Sequence, residues 1–164
     1  PLIRVLFVCM GNICRSPAAE VIMHSLAEEA GLDNKVEIDS AGTVGYHEGA
    51  PPDVRMERIL AKRGYALGDD NAARRIKPED LEEFDLIVAM DEANFQEVKA
   101  LDKMQMYKDK IRMLSDFFKS HKESEIPDPY YGSIAGFEYV VDLIEDGCQN
   151  LIKDIMPTLS GSSA

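Results

Sequence analysis

Residues 5–17 read Val5-Leu6-Phe7-Val8-Cys9-Met10-Gly11-Asn12-Ile13-Cys14-Arg15-Ser16-Pro17. The apolar run from Val5 to Val8 has the pattern of a strand buried on both faces. Ser16-Pro17 marks a helix start, with Ser as the expected cap and Pro in the first turn. Between strand and helix lies a loop of small and polar residues with Cys9 at one end and Arg15 at the other. A strand–loop–helix of this kind aims loop amides and a helix N-terminus at a bound oxyanion. The same positive field favours the thiolate of a cysteine in the loop floor. Gly11 lets the backbone turn so that amides converge, and Arg15 can hold two phosphate oxygens in a fork. A cation in a first helical turn opposes the helix dipole, and a bound dianion would remove that conflict.

Outward from this loop, apolar runs alternate with helical periodicity. Ala19, Ile22, Met23, Leu26 and Ala30 predict a helix stopped by Gly31, and Met56, Ile59 and Leu60 a second one ended by Gly64. Val36–Asp39, Leu86–Ala89 and Ile111–Leu114 predict further strands. The stretch from Leu101 to Pro127 reads as connections around one strand and a short helix. Phe137, Val140, Val141, Ile144, Cys148, Leu151, Ile152 and Ile155 form one face of a last helix. Pro157 is expected to end it, leaving 158–164 as a flexible tail. Continuous apolar strands alternating with helices imply an α/β fold, a parallel sheet covered on both faces. Ligands bind such sheets beyond the carboxyl ends of the strands, where Cys9 stands.

The 164 residues, 45% of them hydrophobic, suffice for a single domain with a full core. A net charge of −12 argues against sequence-independent nucleic-acid binding. Local donors, not long-range attraction, must therefore hold an anion here. No run of 18 or more apolar residues predicts a membrane span. Three cysteines, Cys9, Cys14 and Cys148, are too few for a secreted disulfide scaffold and point to a reducing cytoplasm. Pro1 fits a chain whose initiator Met has been removed.

The Cys9–Ser16 segment resembles the active-site loop of the low-molecular-weight protein tyrosine phosphatases, Cys-x5-Arg-Ser. Ile126-Pro127-Asp128-Pro129-Tyr130-Tyr131-Gly132 resembles that family's general-acid loop. Asp39-Ser40-Ala41-Gly42-Thr43 and Phe84–Asp91 are similar to two further family segments. Together they span nearly the whole chain. The resemblance implies a single-domain three-layer sandwich with a central four-stranded parallel sheet of flavodoxin-like order 2-1-3-4.

It also implies a protein-tyrosine phosphatase with Cys9 as nucleophile, forming a phosphocysteine, and Asp128 as general acid and then base. Arg15 with the loop residues Met10, Gly11, Asn12, Ile13 and Cys14 would bind phosphate, and Ser16 would stabilise the thiolate. Ser40 would support the loop through Asn12. Tyr46, Tyr130 and Tyr131 would rim the pocket and stack on a substrate ring. Tyr46 stands where the family often has Trp, and Asn71 lies where many relatives carry His. Cys14 is a candidate resolving thiol for oxidised Cys9. Cys148 belongs to the core, His47 and His121 are isolated, and no metal-ligand spacing is visible. The expected partners are a tyrosine-phosphorylated protein or peptide and inorganic phosphate as product and competitive inhibitor. No cofactor, nucleic acid, membrane or second subunit is expected.

Three alternatives carry discriminating features. Thiol-dependent arsenate reduction needs further relay cysteines, and none lies between Arg15 and Asp128. Phosphoarginine phosphatases tend to have Thr where Ile13 stands, and Ile13 favours an aryl substrate. A non-catalytic phosphopeptide-binding module would lack the nucleophile or the acid, and Cys9, Arg15 and Asp128 are all present.

Overall fold

A computed structural model describes residues 2–67 and 71–160. Four parallel strands form one sheet in the order β2-β1-β3-β4: β1 (Ile3–Cys9), β2 (Val36–Gly42), β3 (Leu86–Ala89) and β4 (Ile111–Met113). Register is set along β1, where Cys9 stands beside Gly42 and Val8 beside Ala89. The chain leaves β1 toward β2 and later returns on the other side of β1 as β3. The crevice at that switch point opens at Cys9.

Strand periodicity explains why both faces are covered. Val5, Phe7 and Cys9 face a core shared with α1 (Arg15–Glu29), α2 (Val54–Lys62) and α5 (Ile134–Ser160). Leu6 and Val8 face a second core shared with α3 (Pro78–Glu83) and α4 (Glu92–Leu101). The continuous apolar run is thus two interleaved faces. β2 runs three residues beyond its expected end, carrying Ser40, Ala41 and Gly42 up beside the loop. Gly31 (φ 70°) and Gly64 (φ 91°) turn the chain just beyond α1 and α2, as their positions in the sequence predict. The 101–127 segment holds β4 between two short 3₁₀ turns. Among the described residues no helix is long and apolar enough to cross a membrane.

Two local readings are corrected, and two helices are added. Helix α1 starts two residues early: Cys14, not Ser16, is its N-cap, and the Ser16 hydroxyl caps nothing. Helices α3 and α4 carry no long apolar period. They are made by a proline in the first turn of α3 and by Asp91 capping α4, whose Oδ1 accepts from the Asn94 amide at 2.7 Å. Finally, α5 continues through Pro157 to Ser160. Proline removes one hydrogen bond there, but the fully buried Leu159 holds the last turn against the core. The flexible tail is therefore not observed over 158–160, and 161–164 lie outside the described residues.

Gly147 on α5 faces Leu114, and a Cβ there would stand 2.5 Å from the buried Leu114 Cγ. Gly147→Ala should cost about 1–3 kcal/mol by overpacking, read as a lower midpoint in denaturant melts with activity per folded molecule unchanged.

Candidate active site

The loop from Cys9 to Cys14 is held from outside through its carbonyls. Thr43 N–H donates to Cys9 O (2.9 Å), Val44 N–H to Met10 O (3.1 Å) and Asp53 N–H to Ile13 O (2.7 Å). Peptide planarity turns the next amides, of Met10, Gly11 and Cys14, the opposite way, into the loop. The Asn12 amide already donates to Cys9 Sγ at 3.3 Å. Gly42 makes this approach possible, because a Cβ there would lie 2.7 Å from Met10 O.

Cys9 is buried, with the Ser16 hydroxyl 3.0 Å from its sulfur. The Asn12 side chain organises the region behind it. Its Nδ2 donates to Ser16 Oγ (2.8 Å) and Ser40 Oγ (3.0 Å), and its Oδ1 accepts from the Arg74 amide (2.9 Å). Asn12 sits at φ 59°, a left-handed conformation that Asn tolerates better than most residues.

Arg15 is 2% exposed, a buried cation at the start of α1. Its Nη1 donates to Asp91 Oδ2 (2.7 Å) and to Ile126 O (2.9 Å). Burial opposes the charge, but Cys9 and Asp91 outweigh it and hold the guanidinium above its ordinary pKa. Nη2 lies 3.7 Å from Asp128 Oδ2, and the buried Nε has no protein partner among the described residues. One nitrogen anchors the group, which leaves Nε and Nη2 as the edge for an oxyanion. A tetrahedral anion fits this donor set of inward amides and a guanidinium edge.

Cys9, Ile13, Arg15 and Asp128 line a cleft of about 140 Å³ together with Tyr46, His47 and Tyr130. Asp128 is partly exposed at the mouth, where its Oδ1 accepts from the Tyr130 amide at 3.1 Å. Tyr131 packs edge-on against Tyr130, with ring centroids 4.9 Å apart. Tyr46 and Tyr131 also line the cleft, but at 82% and 94% exposure they stand at its rim. His47 is not isolated: its ring centroid lies 6.0 Å from that of Tyr130, and it stands against Gly11. His121 is paired to the buried Asp146 at 2.8 Å, away from the cleft. All three cysteines are free and buried. Burial and then the charge of Asp53 push the Cys14 thiol up.

A sequence profile for the low molecular weight phosphotyrosine protein phosphatases matches residues 4–159. The chain belongs to that family. It is 50% identical over 152 residues to a putative low molecular weight protein-tyrosine-phosphatase of Synechocystis, covering 93% of this chain and 96% of the relative. It is 39% identical over 150 residues to the human low molecular weight phosphotyrosine protein phosphatase, covering 91% and 93%. Among solved structures, a protein tyrosine phosphatase from Entamoeba histolytica with Hepes in its active site superposes at a TM-score of 0.91. It shares 43% identity and covers 95% of this chain and 98% of that one. The drosophila arginine phosphatase DARP superposes at 0.85 with 30% identity, covering 93% and 97%.

Two residues of the phosphatase's site escaped the sequence reading. Asp91 serves twice, one oxygen capping α4 and the other holding Arg15. Its signal was a cap residue directly after a buried strand. Glu20 accepts from Ser40 Oγ at 2.6 Å, behind the loop; as a polar residue among the helical apolar positions of α1 it gave no signal at all.

Gly42→Ala should displace Met10 and Gly11 and lower kcat/KM at least about tenfold, with weaker inhibition by inorganic phosphate. Steady-state kinetics on the folded variant check this, and a variant with unchanged phosphate inhibition would remove Gly42 from the site's construction.

Proposed function

We propose that the chain hydrolyses phosphotyrosine in proteins or peptides through a phosphocysteine at Cys9. The observation that carries this reading is the convergence of the Cys9 sulfur, the free edge of Arg15 and the Asp128 carboxyl on one cleft. Arg15 and the loop amides would bind the phosphoryl oxygens. The Cys9 thiolate would attack phosphorus while Asp128 gives its proton to the departing phenolate oxygen. Asp128, now a carboxylate, would take a proton from the water that opens the phosphocysteine, releasing inorganic phosphate. Ser16 would stabilise the sulfur as it leaves. Fixed positive charge at the oxyanion is supplied by Arg15, so the chemistry requires no metal. Every group comes from one chain, so a single phosphatase domain over 1–164 suffices as a monomer, and three free thiols suit a cytoplasmic setting.

A panel of matched phosphotyrosine, phosphoserine and phosphoarginine peptides, run with native protein, Cys9→Ser and Asp128→Asn, tests the reading. Cys9→Ser should lose the chemistry and keep phosphate binding. Asp128→Asn should lose roughly 10²–10⁴-fold, least for acidic leaving groups. Cleft depth and stacking on Tyr130 should favour phosphotyrosine over phosphoserine by at least about two orders of magnitude in kcat/KM. Retained Cys9→Ser activity would sink the nucleophile. Faster release from phosphoarginine would transfer the substrate class to that ester's nitrogen analogue.

Cys14 adds a redox element to the proposal. Dilute peroxide would convert Cys9 to a sulfenic acid, and the Cys14 thiol would condense with it to a disulfide, releasing water. Mild oxidation should give a Cys9–Cys14 linkage by mass spectrometry, with activity restored by reductant. In Cys14→Ser the same exposure should become hard to reverse. No linkage in the oxidised native protein would remove the switch.

A further inference from the structure

The loop that carries Asp128 has few ties to the sheet. Its entry is fixed at Ile126, whose amide donates to Met90 O and whose carbonyl accepts from Arg15. Past that point, among the described residues, no backbone hydrogen bond joins 127–133 to another element. The bonds of the loop are its own: Gly132 N–H donates to Pro129 O at 2.8 Å, and Tyr130 N–H to Asp128 Oδ1 at 3.1 Å. Side chains must therefore place it. Asp128 leans toward Arg15 at 3.7 Å, Pro129 is buried, and the Tyr130 ring packs against the core.

Arg55, in the first turn of α2, meets that ring. Its guanidinium lies 5.4 Å from the Tyr130 centroid and 4.5 Å from that of Phe137, which is fully buried in the first turn of α5. Both distances are within the range of a cation–π contact. Asp53 fixes the guanidinium plane: its Oδ1 accepts from the Arg55 amide at 2.8 Å and from Nε at 3.1 Å, and its Oδ2 from Nη2 at 2.9 Å. Burial raises the Asp53 pKa, but the bonds from Arg55 outweigh it and hold the carboxyl below its ordinary range, so the pair stays ionised at neutral pH. With that fork filled, Arg55 supports rings and is not an anion site. His47 lies 6.0 Å from the same ring but has no side-chain hydrogen bond among the described residues, so Arg55 is the firmer support. Asp53 also reaches the phosphate-binding loop, since its amide holds Ile13 O at 2.7 Å. Residues 53–55 thus touch both loops of the cleft.

We propose that Arg55 is a positioning residue for Asp128: clamped by Asp53, its guanidinium carries the Tyr130 ring and so holds the acid loop in register with the phosphate-binding loop. The inference rests on the phosphatase reading for its kinetic consequence, though not for the contact itself. Tyr130 stands two residues from Asp128 and bonds to it, so a displaced ring displaces the carboxyl. Proton transfer depends on that placement, and a shift of about 1 Å can cost up to roughly 10²-fold.

Arg55→Met keeps the length of the side chain and removes the fork and the charge. Its kcat/KM should fall roughly three- to tenfold on phenyl phosphate, whose leaving group needs a proton, and less than about twofold on a nitrophenyl phosphate, whose leaving group does not. Inhibition by inorganic phosphate should stay within about twofold of native, because Arg15 and the loop amides are untouched. Arg55→Lys, which keeps the charge without the fork, should fall between the two proteins. In a Tyr130→Leu background Arg55→Met should add little, since the ring it supports is gone. A merely structural role would instead lower both substrates equally and weaken phosphate inhibition with them. A uniform loss across leaving groups, or losses that add in the double variant, would overturn the positioning role. One further readout is independent of activity. The Arg55 Nε–H signal in NMR spectra of the native protein should move on Tyr130→Leu, because a ring current is removed; an unmoved signal would break the contact. If that signal moves in a protein that hydrolyses no aryl phosphate, the contact stands and the phosphatase reading fails.

Discussion

A buried guanidinium organises this molecule. Arg15 lies in the first turn of α1, where the helix dipole disfavours a cation, and it is almost wholly removed from water. Such a group costs several kcal/mol to bury unless it is paired and hydrogen-bonded. Its partners come from far along the chain: Asp91 at the end of β3, the Ile126 carbonyl, and Asp128 just beyond. Ile126 is itself tied to the sheet, its amide donating to Met90 O while the Met90 amide donates to Val8 O. The need to pair one charge thus draws the acid loop and the third strand to the end of the first. Removing Asp91 would leave an uncompensated charge in the fold as well as an unheld fork.

The same pairing resolves the electrostatic puzzle of an anion site in a chain of charge −12. Asp91 takes only Nη1, so the guanidinium keeps an edge for a ligand. Backbone amides add partial positive charge with no counter-charge of their own. At the mouth Asp128 is near enough to Arg15 to be held in place, yet open to solvent. Salt screens the distant surface carboxylates, while contacts inside the cleft are screened far less.

Much of this was legible in the sequence because it depends on local pattern. The run Val5–Val8 could only be a doubly covered strand, and Cys9, Gly11 and Arg15 followed it at loop spacing. The four strands and the helices α1, α2 and α5 followed from apolar period. The parts that were not legible depend on partners remote in sequence. Ser16 looks like a cap by its neighbours; only the fold brings Cys9 and Asn12 to its hydroxyl and moves the cap to Cys14. His47 looks isolated until the segment after β2 folds over Gly11. Pro157 looks like a helix end, because propensity cannot weigh the burial of Leu159 against it. Helix α4 is specified by its cap more than by its apolar face.

Asn12 shows how the site uses strain. Glycine would adopt φ 59° without cost, and the backbone alone would select it. Yet three hydrogen bonds leave the Asn12 side chain, each to a different segment: Ser16 on α1, Ser40 on β2 and the Arg74 amide before α3. Glycine would relieve a strain of order 1 kcal/mol and leave three buried polar groups seeking partners, each worth about 1–3 kcal/mol when unmade. The balance therefore favours the strained residue. It also lets one side chain join three elements behind the loop, while the loop carbonyls are held by Thr43, Val44 and Asp53. Under the proposed reaction a loop held in this way would matter, because amides already fixed toward an oxyanion need no reorganisation when charge develops there.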